Sequence, residues 1–277
     1  MAGPTVNSRP HQEPGHLADL ATRSGSPPIV MVPGLDGTAL LFYRQQPLLA
    51  REFDVVAFPL PDDPDGTMES LVGDLDGLVR EVSQNGAILI GESFGGALAL
   101  STALRHPDAV RGLVIVNSFP WIDSRIRLWL GPVLLGLLPW AAMPLARRFT
   151  QPRLHSRHTS DADLAEFHQR SRQIGRRGYI RRLELLRHYD IRSRLHELAV
   201  PTLLLAADHD ELLPSLYWGH YMADRIPKAD LVVLEGYGHI CLISHDLDLL
   251  ELVGPWWARI QAEEPRAARP DQHQGLK

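Results

Sequence analysis

The chain has 277 residues, a formal charge of −5, 44% hydrophobic and 22% charged residues, a composition that excludes wholesale disorder, collagen and coiled coil. That length admits a large buried core, in one α/β domain with an insertion or in two small domains. The single cysteine, Cys241, excludes an internal disulfide framework and a cysteine metal cage and fits a reducing, cytoplasmic compartment; the acidic balance carries no bias toward nucleic acid.

Residues 1–27 hold Pro4, Pro10, Pro14 and Pro27, with Pro28 next, several Ser and Gly and no apolar run of signal-peptide length, and are expected as a flexible leader. Short apolar runs then follow at 29–32, 54–58, 87–90, 113–116, 202–206 and 231–234, each bounded by Gly, Pro or Asp. They read as buried strands. Between them, 68–83, 96–105, 216–226 and 247–260 space their apolar residues as helices do. Alternation of this kind, with strands apolar on both faces, predicts a mainly parallel sheet of about six strands covered by helices. It lapses between 119 and 199, where the patterns are helical, so the expected organisation is a core of 28–118 and 200–262 interrupted by a helical lid. Residues 263–277 are polar again and are expected as a flexible tail.

The run 87–90 leads into Gly91-Glu92-Ser93-Phe94-Gly95-Gly96 and at once into a helical pattern. A chain that turns from strand to helix in so few residues strains the backbone at Ser93, needs small neighbours at 91 and 95, and lifts the hydroxyl above the sheet edge. The helix N-terminus behind it offers unpaired N–H groups to an oxyanion. A serine needs a base, and the base a carboxylate to orient it. The run 202–206 ends in Ala207-Asp208-His209-Asp210-Glu211-Leu212-Leu213-Pro214, and 231–234 runs into Glu235-Gly236-Tyr237-Gly238-His239. Both loops are predicted on the carboxyl edge that carries Ser93, where α/β sheets gather their site residues. His239 is the candidate base, with His245 in reserve, and the acid loop offers several carboxylates.

With these motifs the chain resembles an α/β-hydrolase-fold serine hydrolase over nearly all of 28–262. The resemblance places the orienting acid four residues before a proline, at Asp210 with Asp208 as the fallback, the base at Gly238-His239, and the nucleophile at Ser93. Val32-Pro33-Gly34-Leu35-Asp36-Gly37 occupies the place of the family's oxyanion loop and is similar to one branch of bacterial esterases and plant acyltransferase-like proteins. That implies the backbone N–H groups of Leu35 and Phe94 as oxyanion donors. The serine at the elbow points to acyl chemistry and the Leu- and Trp-rich lid suits acyl chains, so the expected activity is hydrolysis of medium or long acyl esters through an acyl-enzyme, without cofactor or metal. Acyl transfer, hydrolysis of a carrier-bound ester or thioester, and a non-catalytic binding protein are the competing expectations.

Two features of the expected lid bear on substrate. Residues 128–145 carry no charge, with three prolines and two glycines interrupting any straight helix, and Trp129, Leu135 and Trp140 are its candidate acyl contacts. From Arg147 to Arg194 there are 13 Arg against five acids, a local charge of +8. Such a run is commonly a solvated face; as a functional surface it would guide an acidic acyl carrier protein, CoA or an anionic lipid surface. His158 and Asp163 match a short acyltransferase pattern without the domain that accompanies it, and are read as coincidence.

Overall fold

Each predicted strand run forms a strand: β1 Ile29–Val32, β2 Val55–Ala57, β3 Ala87–Glu92, β4 Val110–Val116, β5 Thr202–Ala207 and β6 Ala229–Leu234. They make a single sheet in the order β2-β1-β3-β4-β5-β6, with every neighbouring pair parallel. The computed structural model describes residues 26–122, 158–170 and 175–263. Nearly all of the expected leader and tail, and the apolar run 128–145 with Trp129, Leu135 and Trp140, lie outside the described residues.

Strands β1, β3 and β5 are buried along their whole length, which is why their sequences are continuous apolar runs without polar alternation. The two-residue period of a strand still sorts the side chains between layers. Val30, Val32, Leu89 and Leu204 join one core with helices α2 (Met68–Val82) and α3 (Phe94–Arg105). Ile29, Met31, Ile88, Ile90, Leu203 and Leu205 join the other, which includes Leu249, Val253, Trp256 and Trp257 of the closing helix Leu249–Glu263. Thr67 starts α2 with a reciprocal box, its side chain accepting from the Ser70 N–H while the Ser70 hydroxyl accepts from the Thr67 N–H.

A turn of 3-10 helix, Leu40–Phe42, and the five-residue α1, Gln45–Leu49, were not expected. Elements this short leave no periodic trace in sequence. Between β4 and β5 the described residues hold α4 (Asp161–Arg170) and α5 (Arg176–Leu185) and no strand. The acid loop then leads into α6, Ser215–Ala223, and the closing helix is α7. No helix among the described residues is long and apolar enough to cross a membrane.

Candidate functional site

The carboxyl ends of β3, β4, β5 and β6 meet at Ser93, Asn117, the Asp210 loop and the His239 loop. Ser93 has φ 53° and ψ −116°, a conformation costly for a non-glycine residue, held here by the strand before it and the helix after it. Its N–H donates to Val116 O and its carbonyl accepts from the Ser118 hydroxyl at 2.7 Å. The turn closes so tightly that a Cβ on Gly91 would lie 2.5 Å from Gly95 O, and one on Gly95 would lie 2.1 Å from Val32 O. The sequence signal of small residues at 91 and 95 is therefore a clearance requirement.

His239 Nε2 lies 3.1 Å from Ser93 Oγ, and Nδ1 lies 2.7 Å from Asp210 Oδ2. An ionised carboxylate only accepts, so Nδ1 carries the proton and Nε2 faces the serine as an acceptor. The His239 ring is buried and the Asp210 side chain is 1% exposed. Asp210 is further held by the N–H groups of Leu212 and Leu213, both at 2.9 Å, and by the Ser215 hydroxyl. Burial alone would raise the Asp210 pKa, but His239 and these donors bring it below the usual carboxylate value. The same pairing lifts His239 above 6.5 against the opposing effect of its burial.

Asp208, the fallback acid, faces elsewhere: Oδ1 accepts from the Gly236 N–H at 2.6 Å and pairs with His209 Nδ1. His245, the reserve base, has a largely exposed ring 3.3 Å from Asp163. His158 stacks on Tyr237 and lies 2.7 Å from Asp246, while Asp163 pairs with Arg44. That pair thus serves to dock the start of α4 against the His239 loop.

The loop after β1 brings Leu35 alongside the serine turn, as Gly95 packs on the Val32 and Pro33 carbonyls. Gly34 O accepts from the Gly37 N–H at 3.1 Å. In a trans peptide the N–H points opposite to the carbonyl, so the Leu35 N–H is turned away from that closure. Phe94 opens α3, and its N–H has no intrahelical acceptor.

Three contributors carried no sequence signal. Asn117, buried and at φ 44°, accepts from the Ala207 N–H at 2.8 Å while its amide donates to His239 O at 2.8 Å and Gly238 O at 3.2 Å. It joins the end of β5 to the histidine loop. Gln45, fully buried in α1, donates to Leu242 O and Leu247 O and accepts from the Leu249 N–H, fixing the chain beyond His239. Glu92, the variable residue of the serine motif, is buried with Oε1 3.7 Å from His239 Nε2. Burial pushes its pKa to about 8, opposed by the charge of His239 and the Gly34 N–H. A largely protonated carboxyl thus sits between His239 and Gly34 of the Leu35 loop at neutral pH. Among the described residues no cluster of three or more His, Cys, Asp or Glu could hold a metal ion.

Comparison with known proteins agrees with this architecture. A protein of Serratia proteamaculans (strain 568) that carries the name carbamate hydrolase RutD is 26% identical over 253 residues, covering 87% of this chain and 94% of that relative. The enol-lactonase of Burkholderia xenovorans LB400 superposes with a TM-score of 0.74 at 23% identity, over 85% of this chain and 92% of its own. A thermophilic esterase from Thermogutta terrifontis gives 0.76 at 21%, over 86% and 92%. The family model for the alpha/beta hydrolase fold matches residues 27–246, and the chain belongs to that family of hydrolases.

Proposed function

We propose that the protein is a serine hydrolase that cleaves carboxylic esters of medium or long acyl groups through an acyl-enzyme. The observation that carries this reading is the continuous Ser93–His239–Asp210 contact chain, with Ser93 held at φ 53°. His239 Nε2 takes the Ser93 proton as Oγ bonds to the acyl carbon. The negative oxygen that forms is received by the Leu35 and Phe94 N–H groups, each worth about 3 kcal/mol by comparison with known oxyanion donors. His239 then returns the proton to the departing alkoxide as the C–O bond breaks. Water repeats the sequence on the acyl-enzyme and releases the acid and free Ser93. Asp210 keeps Nδ1 protonated and stabilises the imidazolium throughout.

A carbamate or lactone carbonyl presents the same acyl carbon to the same groups, and relatives named for those substrates favour testing them alongside esters. The reading extends to 119–199 as a cap over the serine, with Trp129, Leu135 and Trp140 as acyl contacts. It is supported by Phe167 of α4 packing with Leu41, Ile240 and Ile243, next to His239. A basic face for an acyl carrier protein or anionic lipid finds less support. Arg170, Arg181, Arg192 and Arg194 pair with nearby carboxylates, and Arg182 is buried.

Rapid mixing with nitrophenyl esters of graded chain length tests the proposal. A burst of nitrophenol matching the concentration of Ser93 is expected, with kcat/KM rising from acetyl to octanoyl. Added alcohol that diverts the acyl group from water would instead favour transfer over hydrolysis. Absence of both burst and turnover across ester, lactone and carbamate probes would refute the reading.

A further inference from the structure

Arg182 has an unusual place for a cation. It lies on α5 with 3% of its surface exposed, yet its hydrogen bonds go to backbone carbonyls of two core loops. Nε and Nη2 donate to Leu35 O at 3.1 and 2.8 Å, and Nη1 donates to Pro61 O at 3.0 Å. Burial presses its pKa below the ordinary arginine value, while Asp36 and Asp62 oppose that shift and help to hold the charge. Asp36 itself is engaged by the N–H and hydroxyl of Thr38.

Two glycines make room for this side chain. A Cβ on Gly37, which sits at φ +74°, would lie 2.6 Å from Nη2, and one on Gly178 would lie 2.7 Å from Nη1. The second glycine of the Pro-Gly-Leu-Asp-Gly loop therefore answers to the guanidinium as well as to its own turn. A planar fork that bonds the Leu35 carbonyl with two N–H groups fixes the orientation of that peptide, which a lysine ammonium would not.

The consequence falls on the peptide just before it. The Leu35 N–H belongs to the Gly34–Leu35 plane, whose carbonyl is held by the Gly37 N–H, and Gly34 backs directly onto the Glu92 carboxyl, which leaves no room there for a Cβ. With the Leu35 carbonyl also pinned, the backbone on both sides of this plane is constrained and its N–H keeps one direction. We propose that Arg182 is a positioning residue that couples α5 to the oxyanion loop, so that the Leu35 N–H is aimed at the reacting oxygen only when α5 is seated on the core. This rests on the reading of Leu35 as an oxyanion donor.

The test uses the full-length chain and its Arg182→Lys and Arg182→Met variants, with hydrogen exchange followed in residues 33–38 and 176–185. Both variants are expected to lower kcat for an activated ester by about 10- to 100-fold with KM changed less than about threefold, as for a misdirected oxyanion donor. Exchange in 33–38 should accelerate alongside. A folded variant with parental kcat, with kcat and KM altered in parallel, or with unchanged exchange in 33–38 overturns the proposal. Should neither variant fold, the parent protein decides it. Under mild denaturant the two segments are expected to open together, and separate opening rules the coupling out. A parent that turns over no acyl substrate would sink the hydrolase reading, while the exchange arm still decides the coupling.

Discussion

The serine turn and the helices between β4 and β5 are attached to the same sheet edge by opposite means. Around Ser93 the attachment is apolar and contiguous: β3 is buried throughout and nine residues of α3 are buried with it. In α4 the only buried residue is Asp163, and in α5 they are Gly178 and Arg182. Apolar burial is strong and non-directional, so it can hold a strained turn while leaving the hydroxyl free for chemistry. Charged anchors are directional and costly to leave unpaired, so they fix how a helix sits while adding little net stability. The difference teaches that changes in the first region should silence chemistry in a folded protein, whereas changes in the second should alter how the site is assembled.

The largest effect is expected at the serine turn. Ser93→Ala should lower turnover by more than about 10^4-fold with the melting temperature little changed, since a strained serine is removed from a turn held by its surroundings. A large loss of stability would place the turn's support in the hydroxyl. Next comes Asp210→Asn, expected to cost about 10^4-fold in kcat because the amide favours the wrong imidazole tautomer. Normal activity in that variant would return the acid role to Asp208.

Asn117→Ala crosses the comparison, because a buried polar residue sits within the apolar region. It removes bonds to Ala207, Gly238 and His239 and leaves alanine at φ 44°. A stability loss of about 1–3 kcal/mol is expected, together with a drop in kcat larger than the change in KM. An unchanged kcat would show that β5–β6 pairing alone positions His239.

Glu92 gives a smaller, pH-dependent effect. Its ionisation near about pH 8 sets a negative charge beside His239 and the oxyanion loop, so kcat/KM should decline as pH rises through that value and Glu92→Gln should flatten the limb. Linkage has the same sign. The folded state keeps the proton that the unfolded chain releases around 4.5, so the native state loses stability as pH rises from 4.5 to about 8. Melting temperatures of parent and Glu92→Gln across that range should diverge accordingly. The acid limb, set by His239, should lie above 6.5. The smallest change is expected for Asp163→Asn, with faster amide exchange in α4 and activity within about tenfold, because Arg44 remains partly hydrated.

The centre of the sheet was legible in sequence because β1, β3 and β5 are buried along their whole length and so appear as nearly uninterrupted apolar runs, and the half-buried edge strands β2 and β6 kept enough apolar residues to be read with them. Ser93 was legible because its constraints are local, with glycines and a helix start within a few residues. His239 and the acid loop could be placed because each follows a strand on the edge where site loops gather, and within that loop only the family resemblance singled out Asp210. Asn117, Gln45 and Arg182 could not. Their partners lie 122, 197 and 147 residues away along the chain, and a single polar residue at a strand end, in a five-residue helix or among many arginines has no periodicity to betray it. The loop glycines 34 and 37 could be read as turn residues but not as clearance for Glu92 and Arg182.

The most direct test of the central claim is labelling with a fluorophosphonate followed by peptide mapping. One adduct is expected, on Ser93, forming faster as pH rises through the His239 titration and absent from Ser93→Ala. Folded protein that takes up no label, or is labelled equally after Ser93→Ala, would contradict it.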